Sequence, residues 1–339
     1  MVSIVITPLP HHSSGSLHLL GSDSVAIMDW LDSKIDGVRN DRRHGAAQLA
    51  SAAIRILMAV CKRSESMDLE SLTLEVKQTA FSLAKSRPSM APIRNWSLVF
   101  AHRFNQQAAR GVSTHDAKRQ GILLAEELLA VQQEFRHRQV ETARALLGHC
   151  RSVLTLSYSS TVESILSHAL PSGCQVVIAE SRPLMEGRHL FRSLSGTVAD
   201  LRMVTDAQMG VVIPTADLVL VGADSVLSDL GVLNKTGTYL AALVARAHGR
   251  GFFVASDTYK INAEADSHDC VLESKSGKEV WPSHETQCDN VYFDITPAQL
   301  VTGFVTEEGM LDAAAMRSHV TRWKLLGEEL SPEIRNSRD

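Results

Sequence analysis

The chain has 339 residues, enough for two domains, and it is 44% hydrophobic and 21% charged, as is usual for a globular protein. Its formal net charge is −4 and no long run carries one sign, so we expect neither direct nucleic-acid binding nor attachment to a membrane surface. No apolar stretch reaches the roughly 18 residues of a membrane helix, and the N-terminus lacks the pattern of a signal peptide. The five cysteines are scattered and no histidines have paired-ligand spacing. We therefore expect a cytoplasmic protein with reduced thiols, no metal site and no cofactor.

Residues 1–150 have the pattern of a helical domain. Residues 45–62 are apolar on almost all sides and consist of good helix formers, which predicts a buried helix. Residues 69–86 place apolar side chains three and four apart, and this pattern stops just before Pro88. A third and longer helical pattern covers residues 114–149.

Residues 151–325 alternate short apolar runs with helical segments. Runs of this kind fit strands that are covered on both faces, so we predict an α/β domain with a Rossmann-like, doubly wound parallel sheet. Residues 264–289 are polar and predict a loop, and residues 290–310 predict a strand, a turn at Pro297, a short helix and a last strand. Residues 326–339 are interpreted as a tail with a frayed end. The predicted strands of the sheet are 152–156, 174–179, 200–204, 217–221 and 251–255.

Polar or small residues follow each predicted strand, at the sheet edge where ligands bind in folds of this type. Loops are polar in any case, so this pattern alone does not define a site. Ser157 lies in "SYSST", which opens a helix and could hold an anion. Arg182, in "ESRPLMEGR", could hold a phosphate with its forked guanidinium.

The segment "GADSVLSDLGVLNKTGTY" combines an acid with a cation. Asp224 is flanked by small residues and could act as an acid or base, or it could cap a helix that starts near Ser225. Lys235 could supply a point charge to a phosphate, and Asn234 could hydrogen-bond to sugar hydroxyls. These residues predict a site for a phosphate ester.

Four motifs in the same order resemble one known family. They are "ESRPLMEGR", the segment just described, "ARAHGRGFFVASDTYKI" and "NVYFDITPAQLVTGFVTEEG". They resemble the alpha, beta and delta subunits of eukaryotic translation initiation factor 2B, a family that also contains methylthioribose-1-phosphate isomerase and ribose-1,5-bisphosphate isomerase. The resemblance covers about residues 43–309. It implies a helical N-terminal domain, a Rossmann-like C-terminal domain and a homodimer formed through the latter.

The resemblance also implies roles for individual residues. Asp224 matches the acid of the family's "GAD" motif, and Asn234 and Lys235 match its substrate-contacting "NK" pair. Arg87, in "SRPSM", matches an arginine in an "RP" turn of the N-terminal domain. These four positions agree with the isomerase pattern.

Three positions depart from that pattern. The phosphate loop "RGA" corresponds to His44, Gly45 and Ala46, with histidine where arginine is expected. Glu186 stands where the family has a substrate-binding glutamine, and it adds a negative charge that disfavours an anion. Ser157 stands where the isomerases have cysteine, and a serine hydroxyl at its usual acidity cannot replace an ionisable thiol.

These departures favour the regulatory-subunit branch of the family, with a retained pocket for a sugar phosphate or nucleotide. The chain shows neither the basic extension of the delta subunit nor the repeat domain that carries nucleotide exchange, so we do not expect it to be an exchange enzyme. A divergent sugar-phosphate isomerase is the alternative, and a relative that binds such ligands for another purpose is a third. The implied partners are a second copy, joined through the apolar segment "YFDITPAQLVTGFV", other initiation factor 2B subunits, initiation factor 2 and a phosphorylated small molecule.

Overall fold

A computed structural model describes residues 22–41, 44–270, 272 and 274–335. The expectation about a signal peptide falls on residues outside this set, and so do the last four residues of the predicted tail. In the described part of the chain, helices come first and a sheet of mostly parallel strands follows. The predicted fold class is therefore confirmed.

The described N-terminal half consists of five α-helices. Helices α2, α3 and α5 lie where the sequence predicts them, and Asp68 and Ser113 cap the last two by accepting backbone N–H groups. The sequence pattern does not predict α1 or α4. In α4 the buried polar residues Asn95 and Ser97 interrupt the apolar repeat. The helices are α1 (Ser22–Asn40), α2 (Ala46–Arg63), α3 (Leu69–Ser86), α4 (Ala91–Ala108) and α5 (Thr114–Leu147).

Eleven strands follow in the described C-terminal half. They are β1 (Ser152–Leu156), β2 (Gln175–Ala179), β3 (Asp200–Val204), β4 (Leu218–Gly222), β5 (Ser225–Leu227), β6 (Val232–Lys235), β7 (Gly251–Ala255), β8 (Ile261–Asn262), β9 (Phe293–Thr296), β10 (Gly303–Thr306) and β11 (Gly309–Leu311). Seven of them form the main sheet in the order β11-β10-β7-β4-β1-β2-β3. Within this sheet, as far as the chain is described, only β11 pairs in the antiparallel direction. The result is a doubly wound parallel sheet with one reversed edge strand.

Five α-helices accompany the strands of this half. They are α6 (Ser160–His168), α7 (Gly187–Leu194), α8 (Met209–Val212), α9 (Thr238–Ala247) and α10 (Ala313–Arg335). The last of them continues through Arg335, into the segment 326–339 that the sequence assigns to a tail.

A second, smaller sheet has the strand order β8-β5-β6-β9, and the sequence does not predict it. Strands β5 and β6 form a hairpin whose turn contains Asp229, Leu230 and Gly231. Leu230 has a left-handed φ of 69°, and the Asp229 carboxylate accepts the N–H of Gly231 at 3.0 Å. Ser225 thus begins a strand and not a helix. The interpretation of Asp224 as a helix cap is therefore wrong.

The two halves share a packed boundary. The Trp96 ring of α4 stacks on Tyr259, with 3.9 Å between ring centroids. The side-chain amide of Asn95, which is 1% exposed, donates to the carbonyl oxygens of Tyr259 and Ile261 at 2.8 Å each. Buried hydrogen bonds across this boundary hold the helices in register with the strand ends, where the candidate site lies.

A buried carboxylate lies close to the same boundary. Glu307 accepts the N–H and the hydroxyl of Thr258, the latter at 2.5 Å. Burial raises the pKa of Glu307 to about 7, and the negative charge of Asp257 adds to the rise. Burial also raises the pKa of Asp294, to about 6.

We expect the free energy of unfolding to fall as the pH rises from about 4.5 to about 7. In this range the folded protein holds protons that the unfolded chain has lost, because burial raises the pKa values of Glu307 and Asp294. Urea unfolding at about pH 5 and about pH 8 measures the difference. Glu307→Gln should reduce this difference between the two pH values. Glu308→Gln, which changes the exposed neighbouring residue, should leave it unchanged. An equal effect of the two changes contradicts the prediction.

Candidate functional site

A cavity of about 880 Å³ lies between the helical half and the carboxyl ends of β1, β2 and β6. Eight of the ten residues proposed from the sequence line it. The helical half contributes His44, Gly45 and Arg87, and the other half contributes Ser157, Glu186, Asp224, Asn234 and Lys235. Residues from distant parts of the chain therefore meet in one place.

The other two proposed residues lie elsewhere. Ala46 is the first residue of α2 and is buried. Arg182 is exposed and donates from its guanidinium to the carbonyl oxygen of Val280 at 3.2 Å, while its backbone N–H donates to Asp206 at 2.8 Å. Neither side chain belongs to the cavity wall.

Ser157 follows β1 directly and has a left-handed φ of 61°. A non-glycine residue in this region costs about 1–3 kcal/mol, and such residues cluster at functional sites. Ser157 is 8% exposed and lines the cavity. Among the described residues, none forms a hydrogen bond with its hydroxyl.

Asp224 lies between β4 and β5, and hydrogen bonds fix the backbone around it. Its N–H donates to the carbonyl oxygen of Leu233 at 2.9 Å. The preceding carbonyl, of Ala223, accepts the buried ammonium of Lys260 at 2.8 Å. The position of the carboxylate therefore depends on both sheets.

Ser225 links this strand to the turn that carries Arg87. Its hydroxyl donates to the carbonyl oxygen of Ser89 and accepts the N–H of Ala91, each at 2.9 Å. Because Ser225 is fully buried, these bonds are shielded from water. Asp224 and Arg87 are thus held in a fixed relation.

Asn234 and Lys235 end β6, and both are more than nine-tenths buried. The Asn234 amide donates to the hydroxyl of Thr238 at 3.0 Å. The Lys235 ammonium lies 2.8 Å from Oε1 of Glu186 and 4.7 Å from the ring centroid of Tyr292. An aromatic face and a carboxylate therefore flank this cation.

Arg87 supplies a second buried cation. It is 8% exposed, and its guanidinium donates to the carbonyl oxygen of Asp41 at 2.8 Å. The Asp41 carboxylate in turn contacts the His44 ring at 2.8 Å. These residues stand beside Gly45, the N-cap of α2, and a helix N-terminus favours a negative charge.

Several residues of the wall have no signal in the sequence analysis. Lys275 and Glu279 come from the loop that has no apolar pattern, and Tyr292 donates its hydroxyl to the Glu279 carboxylate. Tyr158, next to Ser157, donates to Glu163 at 2.8 Å, and burial raises the pKa of this phenol. The position of Tyr158, two residues after a predicted strand, is the one usable hint among them.

Metal-binding groups and membrane-spanning helices both bear on the kind of site. In the part of the chain that the structure describes, no group of three or more His, Cys, Asp or Glu side chains could hold a metal ion. No helix among the described residues is long and apolar enough to cross a membrane.

The sequence profile of the initiation factor 2 subunit family matches residues 42–313. Because this match covers most of the chain, the chain belongs to the initiation factor 2 subunit family. The resemblance found in the motifs is thereby confirmed.

Three similar proteins illustrate the range of the family. The crystal structure of translation initiation factor eIF-2B from Pyrococcus horikoshii OT3 is 28% identical, has a TM-score of 0.72 and is matched over 84% of this chain and 98% of that one. Ribose 1,5-bisphosphate isomerase of Thermococcus kodakarensis is 26% identical over 289 residues, which are 81% of this chain and 88% of the isomerase. The tetrameric eIF2B-beta2-delta2 complex from C. thermophilum has a TM-score of 0.67, with 90% of this chain and 99% of that one matched, but at 20% identity it shows the fold alone. Relatives thus include initiation factors and sugar-phosphate isomerases, among them methylthioribose-1-phosphate isomerase.

Proposed function

We propose that the chain is a regulatory-subunit-like member of its family, which binds a phosphorylated small molecule in the cavity and does not isomerise it. The observation that carries the proposal is the meeting of Arg87, Asp224, Asn234 and Lys235 in one wall. Arg87 and Lys235 are 8% and 5% exposed, and Glu186 already pairs with Lys235. A buried cation such as Arg87 is costly unless an anion compensates it. A phosphate is the anion that these donors fit best.

The serine at position 157 supports the absence of isomerisation. Ser157 has the strained backbone of a functional position but carries a hydroxyl where the isomerases have a thiol. A hydroxyl becomes an effective proton-transfer group or nucleophile when a base contacts it. The retained acid and cations beside it fit a binding site better than a catalytic one.

A screen of thermal unfolding tests the binding proposal. Pentose phosphates and nucleoside monophosphates are the candidates, and a ligand at 100 times its dissociation constant should stabilise the protein by about 2.7 kcal/mol. Lys235→Ala should abolish the shift, whereas Lys278→Ala, which removes an exposed lysine outside the cavity wall, should preserve it. A library without any shift, or a shift unaffected by Lys235→Ala, contradicts the proposal.

A sugar-phosphate isomerase is the second candidate function. It is favoured by the survival of Asp224 beside the "NK" pair in the cavity, and by the 26% identity with a ribose 1,5-bisphosphate isomerase. An isomerase requires a second proton-transfer group. Position 157 carries serine instead of the cysteine that the isomerases have there.

We further propose a homodimer formed through the C-terminal half. The interface expected from the sequence includes residues 292–305, but their large apolar side chains Tyr292, Phe293, Phe304 and Val305 are buried within the chain. Helix α9 instead exposes Tyr239, Leu240 and Leu243, and α8 exposes Val211. Large apolar residues grouped on one surface are typical of an interface between subunits.

The expected dimer buries roughly 2,000 Å² or more. Leu240→Glu should place a charge in it and yield monomers, whereas Leu123→Glu, an exposed leucine of α5, should leave the mass unchanged. Light scattering over a range of concentrations measures the mass. A wild-type protein that is monomeric at every concentration contradicts this expectation.

The proposed partners beyond the dimer are other initiation factor 2B subunits and initiation factor 2 itself, in the cytoplasm. Support comes from a relative of the same fold that forms a tetrameric beta–delta complex. Affinity purification from the native cell tests this proposal. If the chain is recovered without any other initiation factor subunit, the result would favour a dimer that acts on its own.

A further inference from the structure

Glu186 and Lys235 form an ion pair inside the cavity, with 2.8 Å between Oε1 and Nζ. The Lys235 side chain is 6% exposed and that of Glu186 is 27% exposed, so water and salt screen the pair only weakly. A carboxylate of the same chain therefore largely cancels the positive charge of Lys235.

The turn that carries Glu186 is fixed. Met185 before it has a left-handed φ of 58°. Gly187 after it lies so close to the end of β2 that an added Cβ would be 2.2 Å from the carbonyl oxygen of Ala179. Within the described residues, Oε2 of Glu186 is enclosed without a hydrogen-bond partner, so Lys235 is the donor that holds this carboxylate. The ion pair is thus a fixed part of the wall.

The charges of the described part of the wall are balanced. Among the described residues that line the cavity, four are Lys or Arg and four are Asp or Glu, with Glu186 in the second group. Arg87 comes from the turn before α4 and Lys235 from β6, so the two most buried cations belong to different elements. Among the described residues, a carboxylate lies at ion-pair distance from Lys235, and none does so from Arg87.

We propose that Glu186 determines the ligand class of the cavity: it admits a ligand with one phosphate group and disfavours a ligand with phosphate groups at both ends. The proposal rests on the proposed function, namely that the cavity binds a phosphorylated small molecule. The single phosphate lies at Arg87 and the N-terminus of α2, and the Lys235–Glu186 pair offers a donor and an acceptor to neutral hydroxyls. A second phosphate at that pair would meet the Glu186 carboxylate, and like charges in contact weaken binding.

Calorimetric titration with ribose 1-phosphate and ribose 1,5-bisphosphate tests the proposal, because these probes differ by one phosphate group. The wild type is expected to bind ribose 1-phosphate roughly 10-fold or more tightly than the bisphosphate. Glu186→Gln keeps the shape of the side chain and removes its charge, so it should reverse or abolish this preference. Glu180→Gln is the matched control, since Glu180 lies in the same turn but outside the wall, where it pairs with Arg188 at 2.9 Å. It should keep the wild-type preference.

Four results overturn the proposal. A wild type that prefers the bisphosphate refutes it while leaving the proposed function intact. An unchanged preference in Glu186→Gln, or an equal change in Glu180→Gln, does the same. If no variant binds either probe, the proposed function fails together with this inference.

Discussion

The purified protein is expected to show no appreciable conversion of methylthioribose 1-phosphate or ribose 1,5-bisphosphate to a ketose. The isomerisation needs one group that takes a proton and another that returns it. Asp224 lines the cavity and can fill one role. Ser157 cannot fill the other at neutral pH without a base, and losing one member of such a pair typically costs about 10²–10⁴-fold in rate.

A pair of variants separates a former isomerase site from an unrelated pocket. Ser157→Cys restores an ionisable group at the strained position and is expected to gain measurable activity on one of the two substrates. Asp224→Asn in the Ser157→Cys background should remove that gain. Wild-type turnover at an ordinary rate of about 1–10³ per second would contradict the non-catalytic account and support the isomerase reading instead.

Asn95→Ala is expected to lower the free energy of unfolding by about 2–5 kcal/mol, because two buried backbone carbonyls lose their donor. The bonds to Tyr259 and Ile261 cross the boundary between the helices and the strand ends. The same change should weaken ligand binding, since this boundary positions the walls of the cavity. Urea unfolding monitored by circular dichroism measures the loss.

Gln106→Ala is the matched control for this prediction. Gln106 lies on the same helix but is exposed, so its replacement should change the stability by no more than about 0.5 kcal/mol. Equal effects of the two changes would mean that the cost arises from α4 itself and not from the boundary.

Residues proposed from the sequence meet at one cavity because a doubly wound sheet brings its strand ends to one edge. Ser157 and Asp224 follow β1 and β4, which are neighbours in the sheet, so their convergence could be expected from strand order alone. The roles of Arg87 and His44 could not be derived in this way. They follow from the family resemblance, because nothing in a helical pattern shows which turn faces the sheet.

The smaller sheet could not be predicted from local pattern. Strand β5 has three residues and β6 has four, and their partners β8 and β9 lie far along the chain. Strands this short are stabilised by pairing rather than by propensity, which depends strongly on context. The same limitation explains why Asp224 was considered as a helix cap.

Arg182 shows a different limit of sequence reasoning. It lies in the turn after β2, three residues beyond the strand end, and its charge suits a phosphate. The turn directs its guanidinium to the carbonyl of Val280, while Glu186, four residues later, faces the cavity. Sequence position identifies the turn but not the side of the turn on which each side chain lies.

The most direct test of the central claim is a phosphorus NMR titration of methylthioribose 1-phosphate, which reports binding and conversion in one sample. The account predicts that the wild type shifts or broadens the phosphate resonance, that Lys235→Ala does not, and that no ketose product accumulates. A new product resonance, or a phosphate resonance that is the same with wild type and Lys235→Ala, would contradict it.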